Sequence, residues 1–307
     1  MDKDVTKSTL FFESNGVKCA ADFYLPTGAA EKSPCIVMAH GFSATKDSFG
    51  MPAFAGSFAE GGFAVLAFDY RNFGESGGVP RQVIHIPRQR EDFHAAIRFA
   101  RSLDNIDPDR IILWGSSLSG GHVVDVAAKD PEIAAVIAQV PFLDAFKGKG
   151  SEKAPANIQL KLLSAALRDA VHGLLGLPPH LIPVVGNPGE FATMTEQEAK
   201  PVAGATAEGT TWRNEFAPRI AFGMPRYKDG TAECLNMPVL FCIAEQDVQA
   251  SPAFTMEIAK RIPKGEVRIY PVGHFGLYTG EMRDRVISDQ LKFLGRALGI
   301  STSLSNR

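Results

Sequence analysis

Ser117 sits in Ile111-Ile-Leu-Trp-Gly-Ser-Ser-Leu-Ser-Gly-Gly-His122, which passes from apolar residues through small ones into a helix-like pattern. Val123, Val124, Val126 and Ala127 continue that pattern. Strand, sharp turn and helix in this order form the setting of a nucleophile elbow. Gly115-Ser116-Ser117-Leu118-Ser119 has its form, with Ser119 where the last glycine usually stands. The turn needs small residues because the central residue is held in a strained conformation while strand and helix approach closely. A helix that starts there points amides at a developing anion. The bland reading is a Ser/Gly turn, but a buried strand before it and an apolar helix after it favour a nucleophile. Ser116 and Ser119 are rival hydroxyls; only Ser117 is central.

A serine hydroxyl is a poor nucleophile until a base takes its proton. The partners of an elbow serine follow it in chain order, acid before histidine. That order prunes the seven histidines. His40, His85 and His94 precede Ser117, His122 belongs to the helix after the elbow, and His172 and His180 lie in an irregular stretch. His274, in Tyr270-Pro-Val-Gly-His-Phe-Gly276, comes after a strand near the C-terminus with glycines on both sides. The acid is expected just past the preceding strand, Val239-Leu-Phe-Cys-Ile243, where Asp247 is preferred and Glu245 competes. Two backbone amides would complete an oxyanion hole: Leu118, and Phe42 in the loop Ala39-His40-Gly41-Phe42. His40 is expected to brace that loop.

These residues need a scaffold that brings strand ends together. Ser8–Ser14 and Val17–Tyr24 alternate around Asn15-Gly16, a strong hairpin signal. Continuous apolar runs follow at Cys35–Ala39, Ala64–Phe68, Ile111–Trp114, Ala134–Ala138, Val239–Ile243 and Val267–Tyr270. Runs without alternation fit strands covered on both faces. Helical spacing separates them at Arg88–Leu103, with Ile258–Ile262 and Val286–Leu298 later. The alternation predicts an α/β, doubly wound, mostly parallel sheet with the hairpin as its antiparallel edge.

One stretch breaks the rhythm. Between about Phe142 and Leu235 no βαβ unit is legible, and Pro155–Leu175 reads as a helix with Leu160, Leu163, Leu167, Val171 and Leu174 on one face. A Pro- and Gly-punctuated stretch, Pro178–Gly209, follows. The expected organisation is a core from 1–141 and 236–300, a mainly helical packed cap from 142–235, and a disordered tail from 301–307.

The mix of 45% apolar and 21% charged residues is that of a globular chain, and a formal charge of −2 gives no reason to expect nucleic acid or an anionic membrane as a partner. No signal-like or membrane-spanning run is legible. Cys19, Cys35, Cys234 and Cys242 have no metal or redox spacing. A cytoplasmic protein without metal or cofactor is expected. Its oligomeric state is open, a homodimer among the options.

With these residues in view the chain resembles the α/β-hydrolase superfamily, in particular its serine-dependent dienelactone-hydrolase-like and X-Pro-peptidase-like branch. The resemblance rests on His40-Gly41-Phe42, on Asp69-Tyr-Arg71-Asn-Phe-Gly74-Glu-Ser76-Gly77, on the elbow at 115–120, and on Asp247 and Gly273-His274. It implies that Asp69 and Arg71 brace a turn. Ser117 departs from the cysteine of dienelactone hydrolases and from the aspartate of haloalkane dehalogenases and epoxide hydrolases.

The resemblance implies hydrolysis of a small-molecule carboxylic ester through an acyl-enzyme on Ser117, with His274 as base and Asp247 orienting it. Activity should fall on acidification, because a protonated histidine cannot act as base. Trp212, Phe216 and Phe222 are expected to wall a small or medium apolar substrate pocket, beside Phe191 and Met224. Thioesterase, lactonase and serine aminopeptidase remain alternatives. The last needs a carboxylate for the substrate amine, for which Glu190, Glu196, Glu198, Glu208 and Glu215 are available. A non-catalytic ligand-binding protein on the same fold is the remaining reading.

Overall fold

The computed structural model describes residues 4–27, 32–147, 155–195, 199–200, 203–204 and 208–300. Glu196, Glu198 and the tail at 301–307 lie outside the described residues. An eight-stranded sheet runs through the molecule in the order β1-β2-β4-β3-β5-β6-β7-β8. The strands are β1 (Val5–Ser14), β2 (Val17–Pro26), β3 (Ser33–Ala39), β4 (Ala64–Phe68), β5 (Ile106–Ser116), β6 (Ala135–Gln139), β7 (Val239–Ala244) and β8 (Gly265–Tyr270). The hairpin β1–β2 is antiparallel, β2 pairs antiparallel with β4, and every other pairing is parallel. Asn15 and Gly16 both take positive φ, 48° and 78°, as the tight turn between β1 and β2 requires.

Helices cover both faces: α1 (Met51–Glu60), α2 (Ile86–Arg101), α3 (Leu118–Ala127), α5 (Pro252–Arg261) and α6 (Gly280–Leu298), with α4 (Ala156–Leu174) in the insertion. Register separates the faces. Trp114 pairs with Met38, and Met38 with Ala67, so Phe68, one residue on, points the other way. Trp114 packs on Phe54 of α1 and donates to Gln290 of α6 at 3.0 Å, whereas Phe68 packs on Phe93 of α2. The core is doubly wound.

Sequence spacing missed α1, although Pro52 opens it and Phe54, Ala55, Phe58 and Ala59 repeat on its buried face. It also caught only the end of α5, whose start is Pro252 behind the Ser251 cap.

Among the described residues, the insertion between β6 and β7 adds no strand to the sheet. It carries α4, isolated bridges pairing Ile182 with Phe216 and Val185 with Met194, and a 3-10 turn at Pro218–Phe222. α4 forms where sequence places it but turns its leucines the other way. Leu160 is 68% exposed and Leu174 87%, and Leu163, Leu167 and Val171 are exposed with them; Ile158, Ala165, Ala166 and Asp169 face inward. The reason is Asp169. Its carboxylate takes Arg219 Nε at 2.7 Å and the Arg219 and His180 amides at 3.0 and 2.9 Å. A charge satisfied that fully fixes which side of the helix is buried.

Candidate active site

Four loops meet beyond the carboxyl ends of parallel strands, near the point where the strand order reverses between β3 and β5. β5 delivers Ser117, β3 the His40–Phe42 loop, β7 Asp247 and β8 His274. Ser117 takes φ 55° and ψ −119°, a strained conformation for a residue with a side chain. Its backbone is held from both sides: its amide donates to Gln139 O at 2.9 Å, and its carbonyl accepts from Phe142 and Gly121 at 2.8 and 3.2 Å. A Cβ on Gly115 would lie 2.2 Å from Ser119 O, which is why strand and helix can close so tightly there.

Ser117 Oγ donates to His274 Nε2 at 3.0 Å, and His274 Nδ1 donates to Asp247 Oδ2 at 2.7 Å. The other Asp247 oxygen accepts from the Gln249 and Ala250 amides at 2.7 and 2.9 Å. All three side chains are buried. Glu245 points to solvent. The geometry therefore joins Ser117, His274 and Asp247 in one chain of hydrogen bonds and leaves Glu245 out.

A Cβ on Gly41 would touch Ser117 Cβ at 3.0 Å, so the loop after β3 lies directly against Ser117. The amides of Phe42 and Leu118 meet no acceptor among the described residues. Ser119, in place of the elbow's glycine, links the two parts: it donates to His40 O and accepts from Tyr70 OH at 2.5 Å. Ser116, the other rival hydroxyl, bonds Tyr278 OH at 2.7 Å, whereas His274 Nε2 is met by Ser117 Oγ.

His40 braces its loop as expected, with Nδ1 donating to Gly41 O at 3.0 Å and its ring against Tyr70. Burial pulls its pKa down to about 4. Asp69 accepts the amides of Lys46 and Glu75 at 2.7 and 3.0 Å, and Arg71 is fixed by Asp92. Burial raises the Asp69 carboxyl to about 6.

The cleft over Ser117 is only about 30 Å³, roofed by Val184 and Met194 of the insertion. Sequence gave no signal for either, because their segment has no periodicity. Beyond Phe42 lies a second, larger cavity of about 470 Å³, lined almost wholly by apolar side chains, among them Phe142, Leu162, Ala166, Ile220 and Met224. Phe42 borders both spaces and packs edge-on against Phe216 at 4.9 Å.

Of the three residues expected to wall a pocket, Phe216 lines this cavity. Trp212 is instead half-buried, donating Nε1 to Ser43 O at 2.9 Å and packing on Phe49. Phe222 is 57% exposed and borders neither space. Trp212 belongs to a seam in which Thr211 donates to Asp47 and Gln82 to Glu215 O, pinning the insertion to the core. Glu190, Glu208 and Glu215 border neither space. No group of three or more metal-ligating side chains and no helix long and apolar enough to cross a membrane occurs among the described residues.

The chain is similar to known proteins in sequence and in fold. The quorum-quenching protein AidA of Acinetobacter baumannii is 41% identical over 293 residues, 94% of each chain. The thiohydrolase aneE of Aspergillus aculeatus is 28% identical across 96% of this chain and 95% of its own. Among solved structures, the alpha/beta hydrolase GrgF of Penicillium superposes with a TM-score of 0.79 at 24% identity, covering 96% of this chain and all of that one. The Alpha/beta hydrolase family pattern itself matches residues 36–289, from β3 through most of α6. A doubly wound sheet, an elbow after β5 and that match together make the chain a member of the alpha/beta hydrolase family.

Proposed function

We propose that this chain is a serine hydrolase that cleaves carboxylic esters of small or medium apolar substrates through an acyl-enzyme on Ser117. The observation that carries the reading is the unbroken relay from Ser117 Oγ through His274 to Asp247, at 3.0 and 2.7 Å. Ser117 Oγ attacks the ester carbonyl carbon as its proton passes to His274 Nε2. Asp247 holds the imidazole by Nδ1 and stabilises its positive charge without taking the proton. The carbonyl oxygen becomes an oxyanion facing the Phe42 and Leu118 amides. The C–O bond then breaks, and the alcohol leaves with the proton from Nε2. Water, deprotonated by the same imidazole, attacks the acyl-enzyme and frees the acid and Ser117.

The serine-dependent dienelactone-hydrolase-like and X-Pro-peptidase-like branch is part of this proposal, as are a core at 1–141 and 236–300 and a cap at 142–235. A second reading, thioester cleavage by the same steps, is favoured by the likeness to a named thiohydrolase. Nothing at the two cavities favours an aminopeptidase, since none of the described candidate carboxylates borders them.

The test is hydrolysis of p-nitrophenyl esters from acetate to palmitate and of matched acyl thioesters, by wild type and Ser117→Ala. Loss of kcat by about 10⁴ or more in the variant supports the reading. Equal turnover by both proteins removes Ser117 as nucleophile. Tight ligand retention with no turnover by wild type supports a binding protein instead.

A further inference from the structure

α4 presents three different faces. Ile158, Ala165 and Asp169 turn inward, and Leu162, Leu163 and Ala166 line the apolar cavity. Leu160, Leu163, Leu167, Val171 and Leu174 make an exposed stripe. Leu163 belongs to both the stripe and the cavity wall. Phe146, 64% exposed, lines the same cavity. The stripe therefore runs along the cavity's mouth.

At about 100° per residue, Lys161, Arg168 and His172 fall together on the edge of the stripe away from the cavity. The helix's one acid, Asp169, is buried and paired with Arg219. Arg226 lies over the Phe146 ring at 4.2 Å, and Lys147 follows Phe146 in the chain. The mouth is thus apolar with a basic border, although the chain as a whole is slightly acidic.

We propose that α4 docks on an anionic lipid surface. The leucine stripe sinks among the acyl chains while Lys161 and Arg168 reach the headgroups, the disposition of an interfacial amphipathic helix. An apolar ester then passes from the surface into the cavity without crossing water, a consequence that rests on the hydrolytic reading above. A second copy is the weaker occupant. Packed antiparallel about a two-fold axis, two α4 helices would set each basic edge beside its own image.

The test is flotation of the full chain with vesicles of phosphatidylcholine alone or mixed with phosphatidylglycerol, at low and high salt. Wild type is expected to float with the anionic vesicles and to be released by salt. Leu167→Glu with Leu174→Glu, and separately Lys161→Glu with Arg168→Glu, should each weaken flotation by about tenfold or more. Turnover of a short soluble ester should be unchanged in both, which shows that they fold. Ser117→Ala should float like wild type, so docking is read whether or not any ester is cleaved. Wild type that stays with neither vesicle overturns the proposal. Undiminished flotation of both variants does so too, as does a solution dimer that Leu167→Glu dissociates.

Discussion

Ser119 donates its hydroxyl to the carbonyl of His40, so the first turn of α3 holds the loop that carries the Phe42 amide. Tyr70 donates to Ser119 Oγ at 2.5 Å and is itself buried, which leaves the Ser119 hydrogen one direction to point. The peptide that follows the His40 carbonyl leads directly to Gly41 and Phe42.

Ser119→Ala should therefore displace the proposed oxyanion donor without touching the relay. We expect kcat on a soluble ester to fall about tenfold, less than the roughly 10²–10³ for losing a donor outright, with KM within about twofold. Stability should drop by about 1–2 kcal/mol, because the Tyr70 hydroxyl and the His40 carbonyl lose a buried partner. Steady-state kinetics beside thermal unfolding separate the two effects. A variant that loses stability and keeps its kcat would show Ser119 to be a packing residue only.

The apolar cavity beyond Phe42 sets an expectation for substrate length. At about 30 Å³ per water-sized group, its 470 Å³ holds on the order of ten methylenes with some space left unfilled. Ala166 is 2% exposed and lines it. Ala166→Phe should fill the space and lower kcat/KM for a decanoate ester about tenfold, while acetate stays within about twofold. An unchanged chain-length profile would mean that the acyl group takes another path from Ser117.

Much of this was legible because strand ends leave strong marks. β4 begins and ends where its apolar run does, and the Asn15-Gly16 turn, the elbow and the Val239–Ile243 run each name a position along the chain. Chain order, with the place of each ring relative to the strand and helix runs, then pointed to His274 among seven histidines. What stayed hidden depends on partners distant in sequence. The orientation of α4 is set by Arg219, fifty positions after Asp169, so an apolar stripe read as a packing face proves exposed. Val184 and Met194 reach Ser117 from a stretch with neither strand nor helix period. Ser119, which stands where the elbow's last glycine is usual, has two buried hydrogen bonds that use its hydroxyl.

Sequence left Glu245 as a rival to Asp247, and the two now have different surroundings. Asp247 Oδ2 accepts from His274, whereas Glu245 is exposed. Asp247→Asn should lower kcat by about 10³–10⁴, since an amide neither orients the imidazole as well nor offsets its charge. Glu245→Gln should stay within about twofold. Comparable losses in both variants would return the acid to Glu245 or divide it between them.

The last expectation concerns acid. His40 is buried, its Nε2 3.8 Å from Asp69 Oδ1, too far for a hydrogen bond, and burial holds its pKa at about 4 rather than 6.5. His122, buried against Tyr70, is pulled well below its ordinary value by the same cause. As pH falls, the unfolded chain protonates these rings first, near 6.5; in the native chain the His40 ring follows only near 4, and burial holds back the His122 ring in the same sense. Their contribution is complete above about 6.5 and is lost as pH drops towards the folded value, on the order of 3 kcal/mol for His40. Asp69 works in the other sense. Its carboxyl, raised to about 6 by burial, takes up a proton in the native state before the unfolded one and offsets part of the loss below that pH. His40→Asn keeps a donor for Gly41 O and removes the titrating ring. Between about pH 7 and 5 the wild-type unfolding free energy should fall more steeply than the variant's, by roughly 1–2 kcal/mol. Parallel curves would show that the His40 ring takes its proton as readily in the folded chain as in the unfolded one.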